Sequence, residues 1–287
     1  MKNILISTII LLLIPSLAHG QTKVTKLRFG IYAPNTAFGS NSERWSYIQK
    51  IASYVQGVTK IPSTGSAYAQ AGQFSGAAGG LDFALVDGVY LATRGGWTVL
   101  ATSMYGGSSR APWGLYSRGT STFAGLKGKS LVISRAGGRE TTLVDGLLYG
   151  EVKVNSWFGS VKIVPDLAAA VQTVRNGGAD AVFAPMAMAS GLTLVFAAGS
   201  VPNASFVQIN RKLPADIVAK VRAAVQSIGS GGLGGMGGPS RGGIMGGKPK
   251  ATFMNTMPGV LGFAFRGFLK PFTGTYEKSP LLKNYIR

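Results

Sequence analysis

"LVISRAGGRETTLVDGLLYG", residues 131–150, runs from a short apolar stretch through a glycine corner into a segment with helical character. An apolar strand that turns at glycines straight into a helix is the start of a βα unit. The corner holds Arg139, Glu140, Thr141 and Thr142. Backbone N–H groups at Gly138–Glu140, opening a helix, can receive an anion, and Arg139 can clamp one in bidentate fashion. A second reading stays open: Glu140 is itself a carboxylate at that spot and can satisfy the helix end, which leaves a capped helix with an exposed arginine.

Downstream the same grammar repeats. A helix is expected over 140–149, "VKIVP" follows, and Ala168, Val171 and Val174 predict a helix over 166–176. "GGADAVFAP" and "TLVFAA" read as further strands, so this half is one α/β unit. Upstream lies another. "KLRFGIYAP" (26–34) is a strand and its exit loop. Trp45, Ile48, Ile51, Ala52 and Val55 fall at helical spacing, with Asn41 or Ser42 as cap and Gly57 as stop. A short strand near Ile61, a glycine-weakened helix in "SAYAQAGQFSGAAGG", the buried strand "LDFALVDGVYLA" and "WTVLATSMY" complete it. Strands alternating with helices imply a parallel sheet covered on both faces. Residues 112–117 look extended, 118–128 form a turn-rich link, and 129–134 read as a new strand.

"PADIVAKVRAAVQSI" is a late helix with Pro214 in its first turn and Ile217, Val221, Ala224, Val225 and Ile228 as its stripe. Residues 229–250 are glycine-rich and read as a flexible insertion, since they lack the spacing of a phosphate-binding loop. The apolar, aromatic tail "VLGFAFRGFLKPF" is expected to pack back on the first half.

Composition narrows the function. Lys2, the apolar run Ile4–Leu13 and small residues at Ala18 and Gly20 describe a secretory signal over residues 1–20, which leaves a mature chain with no stable membrane insertion. There is no cysteine, and the one histidine, His19, lies inside that signal. The mature chain therefore lacks thiol and imidazole chemistry, Ser-His-Asp systems and the usual zinc sites. Ten scattered acids offer no convergent catalytic set, so no catalytic residue, metal or cofactor is expected, and the chain is not expected to be an enzyme. The net charge of +19 comes with only 14% charged residues. It reflects few acids more than dense basic clusters, so nucleic acid is not expected as a partner.

The order of these segments resembles the two-lobed periplasmic substrate-binding proteins of ABC transporters, especially the phosphate/phosphonate-type group related to transferrin lobes. The likeness rests on "LRFGIYAP", "GGLDFALVDGVYLATRGGWTVLA", "GLYSRGTSTFAGLKGKSLVIS", "AVQTVRNGGADAVFAP" and "INRKLPADIVAKVRAAVQSI", and spans roughly residues 26–228. It implies a type 2 periplasmic-binding fold: α/β, two mainly parallel sheets with flanking helices and two hinge crossings. Lobe 1 would comprise 26–115 and 206–287, with 229–250 inserted, and lobe 2 would comprise 116–205. Hinges are expected near Ala111–Tyr116 and Asn203–Gln208. The implied protein is an exported, periplasmic monomer that captures a small polar, anionic ligand such as a phosphonate, phosphate, sulfonate or small organic acid. Its implied partner is an ABC permease. The same fold reused as a sensor or an interaction partner in the envelope is the alternative.

In such a fold the ligand meets the carboxyl ends of the strands. The candidate contacts are Tyr32 and Asn35 after the first strand, Asp87 and Tyr90 after the third, and Ser134, Gly138, Arg139, Thr141 and Thr142 at the opening corner. Pro185 and Met186 follow the strand after Asp180. Asp87 is placed to accept from an amine or hydroxyl, though a plain turn before Gly88 is the competing reading. Asp180 reads as a structural strand-start residue. Trp113 and Trp157 are aromatic candidates for either the cleft or the core.

Overall fold

The structure, a computed structural model, describes residues 23–36, 38, 40–91, 96–105, 108–149, 152–228 and 265–269. The expected signal and the glycine-rich insertion 229–250 lie outside the described residues.

The first unit runs β1 (Leu27–Tyr32), α1 (Asn41–Thr59), β2 (Ser63–Ala67), α2 (Ala71–Ala78), β3 (Phe83–Val86), a single turn α3 (Gly88–Leu91) and β4 (Thr98–Tyr105). The second runs β5 (Arg110–Ser117), β6 (Ser130–Ser134), α4 (Glu140–Leu147), α5 (Val154–Trp157), β7 (Ser160–Val164), α6 (Leu167–Arg175), β8 (Ala181–Pro185) and β9 (Thr193–Pro202). The chain then returns to the first sheet with β10 (Ser205–Gln208), α7 (Ala215–Ser227) and β11 (Phe265–Leu269). The tail strand β11 thus pairs with β4 of the first sheet.

The strand orders are β11-β4-β10-β3-β1-β2 and β7-β6-β8-β5-β9. Each sheet is mixed. β1 lies parallel between β2 and β3, and β6 lies parallel between β7 and β8. The returning strand β10 runs antiparallel to β3 and β4, and β5 runs antiparallel to β8 and β9. The parallel strands are the ones linked by helices, as crossover geometry requires. β5 and β10, which run against them, are the strands that follow each change of sheet.

Central strands are apolar on both faces because helices cover both. In β3, Phe83 and Leu85 face one core with α1 and α7, where the rings of Phe29, Phe83 and Phe206 stack at 5.5–6.1 Å. Ala84 and Val86 face the other core, which continues through Phe74, Tyr32 and Tyr90 into the second unit. Apolar packing is therefore continuous between the two sheets.

Several local expectations shift. Ser40, not Asn41 or Ser42, caps α1 by accepting from Glu43 N at 3.1 Å, and the helix passes Gly57 to close on Lys60, whose φ is +61°. Trp45 is 52% exposed while Tyr47 is buried, because the inward stripe is 44, 47, 48, 51, 52 and 55. Residues Ser66 and Ala67 belong to β2 rather than to the following helix. Of the expected hinge segments, Ala111–Tyr116 lies within β5, while Asn203–Gln208 covers the second change of sheet, at 202–205, together with β10; the first change of sheet falls between Tyr105 and Arg110. Asn203 stitches these two crossings together: its N donates to Ser109 O, and its Nδ2 to Ser103 O and Ser108 O, at 2.9–3.0 Å.

Candidate ligand-binding cleft

β1 and β3 are parallel neighbours, with Tyr32 opposite Val86, so their exit loops leave the sheet side by side. Asp87 starts α3 and links the two loops. Its Oδ2 accepts from Asn35 N at 2.7 Å and its Oδ1 from Val89 N at 2.8 Å, while Asp87 N donates to Tyr32 O. The carboxyl group is buried, and that burial pushes its pKa up, opposed by the backbone N–H groups of Asn35, Val89 and Tyr90 and by the Asn35 side chain.

Asn35 then reaches the second unit. Its Nδ2 donates to Arg135 O at 3.0 Å and its Oδ1 accepts from the Ser134 hydroxyl at 2.5 Å. Nearby, Pro34 O accepts from Leu167 N, and Arg44 pairs with Asp166 at 2.7 Å in an almost fully buried ion pair. The two units therefore touch directly beside the cleft.

The glycine corner after β6 ends at α4. Gly137 and Gly138 have φ of +73° and +87°, a left-handed turn that brings the N–H groups of Ala136 and Gly138 to one acceptor. The acceptor they meet is Glu140. Its Oε1 accepts from Ala136 N at 2.7 Å and from Gly138 N at 3.1 Å. Gly137 lies against the ring of Tyr90, where a Cβ would stand 2.8 Å from Cδ2. Tyr90 in turn meets Tyr32 edge-on at 4.8 Å. The Tyr32 hydroxyl is buried and has no hydrogen-bond partner among the described residues. Its pKa is raised, first by burial and then by the charge of Asp87, with Tyr90 and Glu140 adding to it and Arg135 opposing.

Between the sheets lies a small cleft, part of it open to solvent. Asn35, Thr36, Asp87 and Val89 line it from the first unit, and Trp113 and Pro185 from the second. Val201–Ala204, the end of β9 and the crossing that follows it, also line it. No lysine, arginine or histidine lines it among the described residues.

The candidates fall into three places. Asn35, Asp87 and Pro185 line the cleft; Ser134 is buried against Asn35, and Tyr32 and Tyr90 are buried beside it. Gly138 and Arg139 are exposed at the corner, and Thr141 and Thr142 are half-buried in the first turn of α4. Met186 points away, 56% exposed, and Met188 takes the lining position. Of the two tryptophans, Trp113 lines the cleft while Trp157 stacks on Phe123 at 4.9 Å. Asp180 joins the starts of β6 and β8 by accepting from Ser130 N and Oγ at 2.8 and 2.6 Å, which holds its pKa down. Sequence reasoning missed Thr36, Met188 and Asn203. Their only signal was position: one or two residues beyond a candidate, or at the expected crossing.

Among the described residues no group of acids, histidines or cysteines could hold a metal ion, and no helix is long and apolar enough to cross a membrane. No protein-family model matches the sequence, and no curated protein matches it. Solved structures do. PhnD1 from Prochlorococcus marinus, in complex with methylphosphonate, aligns over 92% of this chain and 99% of its own at 10% identity, with a TM-score of 0.64. The fold is that of the two-lobed periplasmic binding proteins. A Xanthomonas citri protein solved with bound ATP is similar over 91% of this chain and 96% of its own, at 14% identity and a TM-score of 0.60. The binding protein component of an ABC phosphonate transporter from Pseudomonas aeruginosa is similar over 71% and 75%, at 13% identity and 0.56. The binding-protein fold accounts for the place of the cleft: it sits where the exit loops of both sheets face each other, beside two short crossings.

Proposed function

We propose that the chain is an exported, periplasmic solute-binding protein that captures a small polar ligand with an acidic group in the interlobe cleft and delivers it to an ABC-type permease. The observation that carries this reading is the cleft itself, lined from both sheets at the ends of their strands. The similar proteins named above carry methylphosphonate, ATP or a phosphonate-transporter description, which supports a ligand with a phosphorus oxyanion or a like group. We take the lobes to be the two sheet units, dividing at 105–110 and 202–205. Asn35, Asp87 and Pro185 serve as contacts, Asp87 accepting from an amine or hydroxyl of the ligand, and no residue is assigned a catalytic role.

The test is a thermal-shift and calorimetric screen of phosphonates, phosphate, sulfonates, small organic acids and their amino derivatives. A true ligand at a hundredfold excess over its Kd adds about 2.7 kcal/mol of stability. A protein that no small solute stabilises is not a solute carrier.

A specific observation favours a second reading, a binding-protein fold acting as an envelope sensor or interaction partner. The corner donors are already filled by Glu140, and the units are joined directly by Arg44–Asp166. Recovery of a non-transport envelope protein by the intact chain supports this second reading; recovery of a permease alone removes it.

A further inference from the structure

The polar side chains that line the cleft are largely engaged by the chain itself. Asn35 donates through Nδ2 to Arg135 O and accepts at Oδ1 from the Ser134 hydroxyl. Asn203 spends its Nδ2 on Ser103 O and Ser108 O. The two oxygens of Asp87 accept from Asn35 N and Val89 N. Most of what remains to meet a ligand is apolar. Val89 faces it from α3, Val201 from the end of β9, and Met188 from the turn after β8. Trp113 and Pro185 are direct partners across β5 and β8, so the second unit presents an indole beside a pyrrolidine ring. Among the described residues Asp87 is the one ionisable group in the lining, and its charge has the wrong sign for an oxyanion. An anion brought against this wall would lose water without gaining a cation.

We propose that the cleft selects its ligand by an uncharged apolar body, a short alkyl chain or a single ring seated against Trp113, while the ligand's acidic group stays at the solvent-open mouth. This rests on the solute-capture reading and names the class of solute: a phosphonate or like acid with an apolar substituent, in preference to a bare inorganic oxyanion. Trp113 is the specificity-determining residue. It is the largest apolar side chain in the lining, and its strand is held on both edges by β8 and β9, which keeps the ring in place. Each methylene that leaves water for such a wall strengthens binding roughly fourfold. A site that held only the charged group would show no such dependence.

The experiment is calorimetry of inorganic phosphate, methylphosphonate, butylphosphonate and phenylphosphonate, with benzyl alcohol as an uncharged ring, on the intact chain and its Trp113→Leu variant. Butyl- and phenylphosphonate are expected to bind the intact chain at least tenfold more tightly than methylphosphonate, about 1.4 kcal/mol, and phosphate most weakly of the four. In Trp113→Leu the phenyl-over-methyl ratio should fall at least threefold. A merely structural role would weaken every member alike, and an unchanged ratio in a folded variant overturns the assignment of Trp113. A rise of less than tenfold along the series, or phosphate binding as tightly as the substituted acids, overturns the proposal and leaves solute capture standing. If the variant melts early, the series on the intact chain decides alone. Binding of benzyl alcohol with no binding by any acid supports the apolar cleft and removes the acidic group from the proposed ligand. If none of these compounds binds, the proposal fails, and capture fails with it only when the wider solute screen is also blank.

Discussion

Asp87 lines the cleft, and Gly137 packs its corner against the Tyr90 ring; each turns on local constraints. Burial raises the Asp87 pKa above its unfolded value, so its contribution to stability is fully present below about pH 4 and is lost as pH rises through the folded pKa. Denaturation of Asp87→Asn across pH 4–8 should lack that decline; a decline as steep as wild type would assign the trend to other groups. At Gly137 two requirements coincide, a φ of +73° and a Tyr90 ring at 2.8 Å from any added Cβ. Gly128 has the same backbone, with φ +74° and open space around it. Gly137→Ala should therefore lose about 1–3 kcal/mol for backbone strain plus a packing penalty that Gly128→Ala escapes. Equal losses in urea titrations would mean that the two tyrosines do not press on the corner.

At the scale of elements, α6 does two jobs with one side chain. Asp166 caps the helix by accepting from Ala169 N at 3.0 Å, and its other oxygen holds Arg44 of α1. Asp166→Asn keeps the cap and strands a buried guanidinium, so it should cost about 3–5 kcal/mol. Asp166→Ala should cost about 1 kcal/mol more for the lost cap. A loss below 0.5 kcal/mol, roughly the scale of an exposed pair, in Asp166→Asn would show that the pair is solvated. α6 was also the element most legible in the sequence, expected over 166–176 and found over Leu167–Arg175, because its cap and its stripe are both local. The stripe of α1 was misjudged at Trp45 because a bulky aromatic at the edge of a helical face mimics a core residue. The antiparallel course of β5 and β10 left no trace in periodicity, since their partners are fixed by distant chain. In the cleft the same division holds. Asn35 and Asp87 follow visible strands, whereas Asn203 matters through three carbonyls brought together only by the fold.

For the whole molecule the question is whether the lobes stay together without a ligand. Binding-protein folds close by hinge rotation, and a free energy of about 5.5 kcal/mol carries a two-state equilibrium from one part in a hundred to ninety-nine. Here the boundary already contains a buried ion pair, the Leu167–Pro34 hydrogen bond, two hydrogen bonds from Asn35 to the β6 exit, and the Tyr90–Gly137 contact. At about 1 kcal/mol for each neutral hydrogen bond, the three of them bias the boundary toward the closed arrangement on the order of a hundredfold, without counting the ion pair, whose net worth while intact is small. Closure should therefore not wait for a solute. The absence of cysteine makes this measurable, because Ser53→Cys on α1 and Lys162→Cys on β7 provide exposed labelling positions, one on each unit. Energy transfer between dyes at those sites should report one short distance in the ligand-free protein, unchanged on saturation. Replacing the pair with Arg44→Met and Asp166→Leu removes both charges without stranding either, and Asn35→Ala then removes the remaining side-chain bridge. That combined variant should show a longer, broader distance. If the unaltered protein already samples the longer distance and shortens on adding a solute, the direct contacts are too weak to act as a latch, and the ligand supplies the closing energy.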